Sequence, residues 1–209
     1  MTDYARRERS ELADLLLRVG PGAPTLCVGW TTRDLAAHLV VRERRPDASL
    51  AIVVPSLAGH GEHLRKRKAA EPYERVVAEV RNPPWWSPVS NPVSDGLFNT
   101  LEFFIHHEDV RRGTPGWEPR VLDTGEQKAI WNAVRFAARM GLRRLHMPVL
   151  LRAPGFGEVR VGGDVPQATM TAEPSELALF ASGRQRAAKV DIDAPAETAE
   201  ALRTAKLRI

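Results

Sequence analysis

Apolar residues recur at helical spacing through the first two thirds of this chain and at strand spacing in the last third. From about Asp3 to Val19, Leu12, Leu15, Leu16 and Val19 share one face, and Gly20-Pro21-Gly22 ends the run. A second helix opens at Thr31 or Thr32 as N-cap and carries Leu35 and Leu39 towards Arg44, with a break expected at Pro46. A third segment, about Glu62 to Val80, has Tyr73, Val76, Val77 and Val80 in register; Pro72 divides it or marks its true start. Asn82-Pro83-Pro84-Trp85-Trp86-Ser87-Pro88 cannot be regular structure, because proline removes backbone donors and fixes φ. Ser94 is placed to cap a fourth helix, Asp95 to about Arg112, stopped by Gly113-Thr114-Pro115-Gly116. A fifth begins at Asp123 or Thr124 and runs to about Leu145, with Ile130, Val134, Ala137 and Ala138 along one stripe.

After Met147 the period shortens. Val149 to Ala153 and Glu158 to Val161 flank Pro154-Gly155-Phe156-Gly157 and predict a hairpin. Gln167 to Ala172 alternates like a third strand, Pro174-Ser175-Glu176 opens a helix to Gly183, Lys189 to Ile192 reads as a strand, and Ala196 to Leu207 as a last helix. The expected fold class is α+β: a helical bundle over residues 1–146, then a small α/β domain over 147–209.

Composition narrows the class without naming an activity. The chain has 209 residues, 43% hydrophobic and 27% charged, as in ordinary globular domains. The 30 Lys+Arg against 26 Asp+Glu are mixed along the chain, a modest excess that is only weak support for a nucleic-acid partner, so none is expected. The Arg65-Lys66-Arg67-Lys68 run reads as a solvated loop or helix face. The single Cys27 excludes an intrachain disulfide and any Cys-rich zinc site, and fits a reducing cytoplasm. The N-terminus lacks a secretory apolar core, and the Leu50 to Ala58 run, broken by Pro55, falls short of the ~20 residues of a membrane span.

Chemistry concentrates in two places. In Asn99-Thr100-Leu101-Glu102-Phe103-Phe104-Ile105-His106-His107-Glu108-Asp109, Glu102 and His106 are four apart and project from one helix face, whereas His107 points about 100° away. Such a pair either grips a divalent cation or forms an inter-helix salt bridge, since a buried Glu or His needs a partner. His38, between Leu35 and Leu39, borders the core; it is either a hydrogen-bonded core histidine or the third member of a two-His, one-carboxylate site, which leaves positions open as catalytic zinc sites do. His60 and His63 read as surface histidines, Trp85-Trp86 as a loop packed on the bundle, and Cys27 as a buried thiol. There is no Gly-rich phosphate loop and no Gly-x-Ser-x-Gly.

The stretch Cys27-Val28-Gly29-Trp30-Thr31-Thr32-Arg33-Asp34-Leu35-Ala36-Ala37-His38-Leu39 resembles the start of the second helix in mycothiol-dependent maleylpyruvate isomerase-like proteins, which belong to the DinB-like superfamily of metal-binding four-helix bundles. Glu102-x-x-x-His106-x-x-Asp109 resembles the family's second motif, and Glu173-Pro174-Ser175-Glu176-Leu177-Ala178-Leu179-Phe180-Ala181-Ser182-Gly183-Arg184 its C-terminal segment. His106-His107-Glu108 and Gly116-Trp117-Glu118-Pro119 are similar to an actinobacterial branch distinct from the isomerase itself. The resemblance implies a divalent metal, zinc or alternatively nickel, held by His38, Glu102 and His106, with Asp109 and His107 behind the ligands and Arg184 holding an anionic substrate or thiol carboxylate. It also implies mycothiol or another small thiol as cofactor, an electrophilic small-molecule substrate, and isomerisation or S-transfer. Metal-assisted hydrolysis and a non-catalytic metal-binding or regulatory role are the alternatives.

Overall fold

A computed structural model describes residues 3–45, 58–84, 99–141 and 147–207. The apolar stripe of α1 (Asp3–Val19) buries Leu12, Leu15 and Leu16. Val19, expected on the same stripe, is 40% exposed, because the helix ends there and Gly20 turns the chain away at φ 80°. In α2 (Thr32–Arg44) the cap is Thr31: its backbone N–H donates to Asp34 Oδ2 at 3.0 Å, a reciprocal arrangement that satisfies an orphan donor of the first turn. The third segment is divided by Pro72 into α3 (Ala58–Ala69) and α4 (Tyr73–Arg81), since proline fits only a first turn. All four residues of the expected α4 stripe are buried, and Tyr73 Oη donates to the Leu16 carbonyl at 3.0 Å. Next comes α5 (Thr100–Arg111), almost wholly buried. The expected Ser94 cap, Trp85-Trp86 and most of the Leu50 to Ala58 run lie outside the described residues.

By proximity the chain divides into two compact units, Met1–Pro119 and Arg120–Ile209. The expected boundary fell at 146/147. In the first unit α1 packs on α5 and α4, and α2 on α3 and α4, around Leu12, Leu16, Leu35, Leu39, Val76, Val77, Val80 and Phe103. A buried ion pair crosses that core: Arg9 binds both carboxylate oxygens of Glu43, with Nη1 to Oε2 at 2.8 Å, donates to the Val80 carbonyl at 2.7 Å, and lies 4.2 Å from the Phe103 ring centre. Gly113 is required where α5 ends, because a Cβ there would sit 2.3 Å from the Pro24 carbonyl oxygen. The loop before α2 therefore lies directly against the end of α5.

The second unit opens with α6 (Thr124–Gly141), capped by Asp123 Oδ1, which accepts the Glu126 N–H at 2.8 Å. This is the fifth helix expected in the bundle domain; it packs on α7 (Pro174–Ala181), where Gln127 Oε1 accepts the Ser175 N–H at 3.0 Å. A hairpin of β1 (Val149–Ala153) and β2 (Gly157–Val161) pairs Leu151 with Val159. β3 (Ala168–Thr171) runs parallel to β1, and β4 (Asp191–Asp193) antiparallel to β3, giving the order β2-β1-β3-β4. A short 3-10 turn, Gln185–Ala187, follows α7, and α8 (Ala196–Thr204) follows β4. The molecule is α+β, helix-rich with a small C-terminal sheet. Among the described residues no helix is long and apolar enough to cross a membrane.

Candidate metal centre

His38 from α2 meets Glu102 and His106 from α5. Glu102 Oε1 lies 3.2 Å from His106 Nε2 and 3.9 Å from His38 Nε2. One ligand atom from each of the three residues lies within 4.8 Å of the others. The two imidazoles sit edge to face, 5.4 Å between centres. The His106 side chain is 9% exposed, whereas His38 and Glu102 retain 27% and 28%, so the cluster is backed by protein on the His106 side and reachable on the other.

The surroundings fix the rings. Asp109, one turn beyond His106 and fully buried, accepts the His106 Nδ1–H at 2.9 Å. That leaves Nε2 facing Glu102 and His38, the orientation in which a histidine ligates a metal while a carboxylate holds its other nitrogen. Cys27 Sγ donates to the same Asp109 oxygen at 3.2 Å, and the Leu26 N–H donates to the Asp109 carbonyl at 3.0 Å. Trp30 lies 5.1 Å from the His38 ring and, on another side, 4.9 Å from the Arg65 guanidinium. The chemistry of this donor set fits a divalent ion: two imidazole nitrogens and one carboxylate oxygen, with an accessible side.

The three groups titrate apart. Burial pushes His38 below the ordinary histidine value, with Glu102 offsetting part of the effect. Burial also disfavours charge on His106, but Asp109, Cys27 and Glu102 outweigh it and carry its pKa well above that value. For Glu102, burial opposes the charge, and Arg42 together with both imidazoles holds the carboxyl well below the usual range. At neutral pH the metal-free cluster therefore pairs a carboxylate with an imidazolium and a neutral imidazole. A cation must displace the His106 proton, and a raised pKa keeps that proton competing to higher pH. Zinc affinity is accordingly expected to rise about tenfold per pH unit up to the His106 pKa and then level off. Calorimetric titration at neutral pH in two buffers of different ionisation heat should count about one proton released; none released would mean that His106 is not displaced.

The other sequence candidates fall elsewhere. His107 is buried on another face of α5, its Nδ1 2.8 Å from Glu8 Oε2 of α1. Glu11 comes within 4.8 Å of that pair, but the 2.8 Å contact is itself an ordinary hydrogen bond between two packed helices. His60 and His63 are exposed on α3. In the basic run Lys66 and Arg67 are exposed on a helix as expected, whereas Arg65 is buried and paired with Asp34 and Glu62, and Lys68 binds Glu71 at 2.9 Å and Glu79 at 3.3 Å. A cavity of about 480 Å³ beside α2 and α3, lined by Val40, Val41, Leu64, Arg44, Arg67 and Lys68 among others, includes none of the three clustered residues. Arg184, in the second unit, donates from Nη1 to the Ser182 carbonyl at 2.6 Å. Sequence reasoning missed Cys27, Trp30 and Arg42 as neighbours of the cluster. For Arg42 a signal existed, four residues after His38; for Cys27 and Trp30 only the fold of the loop brings them in.

The solved structure of the mycothiol-dependent maleylpyruvate isomerase matches this chain with a TM-score of 0.58, over 92% of each chain, at 16% sequence identity. This chain shares that fold. The resemblance read from the sequence is thus borne out as architecture. No protein-family model matches the chain, and no curated protein sequence does.

Proposed function

We propose that the chain is a cytoplasmic, divalent-metal-dependent enzyme that works with a low-molecular-weight thiol, mycothiol or a similar one, in an isomerisation or S-transfer on an electrophilic small molecule. The observation that supports this most is the meeting of His38, Glu102 and His106 in a chain that shares the fold of a mycothiol-dependent isomerase. Zinc suits two imidazoles and a carboxylate best, with nickel the alternative. A divalent cation held there supplies the positive charge that keeps a thiol deprotonated at neutral pH.

The chain's own residues do the rest. His38 and His106 present ring nitrogens, and Glu102 contributes one negative charge. Asp109 keeps the His106 Nδ1 proton in place so that Nε2 faces inward. The protein on the His106 side bars access there, which directs thiol and substrate to the side where His38 and Glu102 are exposed. Arg184 is assigned the anionic group of substrate or thiol, because its planar fork matches a carboxylate in two-point contact.

Cobalt-substituted protein titrated with mycothiol is expected to develop thiolate-to-cobalt absorption in the near ultraviolet. Metal uptake without any such band, together with thiol-independent turnover of an ester or amide, would favour the hydrolase. Arg184→Ala is expected to retain its metal and to lose roughly tenfold in affinity for the anionic ligand, the loss of one charge-assisted contact. Unchanged affinity and turnover would remove Arg184 from the site.

A further inference from the structure

We propose that Arg42 is a positioning residue of the metal centre: it holds the Glu102 carboxylate in its ligating orientation and is itself held by Asn99. The inference rests on the metal reading above. Arg42 lies one helical turn after His38 on α2, and its Nε forms an ion pair with Glu102 Oε1 at 3.2 Å. Its Nη1 and Nη2 both donate to Asn99 Oδ1 at 3.3 Å. Asn99 is 1% exposed and immediately precedes α5, three residues before Glu102. The arrangement therefore closes on itself. α2 carries one ligand and the residue that holds the carboxylate; α5 carries two ligands, and the residue just before it anchors the holder.

The choice of arginine is informative. Its Arg42 side chain is only 12% exposed, so a cation sits beside the oxygen that would meet a second, doubly charged cation. As a bare charge it would weaken metal binding by repulsion. A guanidinium, however, is a planar group with donors in fixed directions, so contacts to Asn99 on one edge set where Nε points. The Glu102 side chain is 28% exposed, and among the described residues its other contact from α2 is the longer one to His38, at 3.9 Å. Orientation and repulsion thus act on metal affinity in opposite directions, and their balance is measurable.

The full-length chain, stripped of metal, is titrated with Co2+, whose visible spectrum reports the ligand geometry, and then with Zn2+ in competition. Arg42→Met is expected to bind about 10- to 100-fold more weakly, with an altered Co2+ spectrum, as when a group orienting a ligand is lost. Arg42→Lys should recover only part of the affinity, since an ammonium reproduces the charge and not the fork. Asn99→Ala should shift affinity and spectrum in the same direction, and should add little in the double variant, because both changes release the same carboxylate. Asn99→Ala carries the test alone if Arg42→Met does not fold. Unchanged or tighter binding in these variants would reduce Arg42 to a nearby charge and overturn the inference. So would weaker binding that follows a lowered melting temperature of the metal-free protein with an unchanged spectrum. Wild-type protein that takes up no Co2+ would overturn the metal reading and this inference with it; wild-type uptake with unaffected variants would overturn this inference alone.

Discussion

Replacing His106 by alanine is expected to abolish stoichiometric zinc uptake, whereas replacing its neighbour His107 should leave the metal content near wild type. His106 Nε2 faces Glu102 Oε1 at 3.2 Å and His38 completes the cluster, so the substitution removes one of the three proposed ligands. His107 is rotated about 100° around α5. Its Nδ1 lies 2.8 Å from Glu8 on α1, and both side chains are buried. His107→Ala takes that hydrogen-bonding partner from a buried carboxylate, which costs about 1–3 kcal/mol of stability rather than metal. Metal content by elemental analysis, read beside the melting temperature, separates the two variants. Equal loss of metal in both would move the site to the other face of α5.

The largest effect on stability is expected at Glu43. Arg9 and Glu43 are 2% and 1% exposed, and the guanidinium is committed to both carboxylate oxygens, the Val80 carbonyl and the face of Phe103. Removing one partner leaves the other charged inside a core of Leu12, Leu16 and Val80, so Glu43→Ala should destabilise by about 3–5 kcal/mol. Against the ~5–15 kcal/mol that holds a typical domain, that is a large share. The paired replacement Arg9→Met with Glu43→Leu should be near neutral or stabilising, because it also removes the desolvation cost of both ions. Urea unfolding followed by circular dichroism tests both statements. A single variant as stable as wild type would show that water reaches the pair after all.

The elements themselves were largely legible. The α4 stripe, the proline that starts that helix and the β1–β2 hairpin all follow from spacing and turn residues, because these are local preferences of the backbone. Where the reading slipped, a longer-range contact was at stake. Val19 continues the α1 spacing but not its burial. Arg65 looked solvated within a basic run, yet Asp34, Glu62 and Trp30 draw it in. The fifth helix reads like one more bundle helix, and only its packing on α7 places it in the second unit.

For the candidate site, the chain alone determined which residues could act. A four-residue interval puts Glu102 and His106 on one face of any helix, and a one-residue interval turns His107 away; both are consequences of 3.6 residues per turn. From its own spacing His38 was legible only as a histidine bordering an apolar face, open to a core role or to a metal, and the ligand role came from the family resemblance. Tertiary structure decided that it approaches Glu102, that Cys27 and Asp109 stand behind His106, and that Arg42 reaches across from α2. Spacing carries angular information within one helix and none between helices. The side chains that meet across α2, α5 and the loop before α2 are set by packing, which depends on the whole core at once.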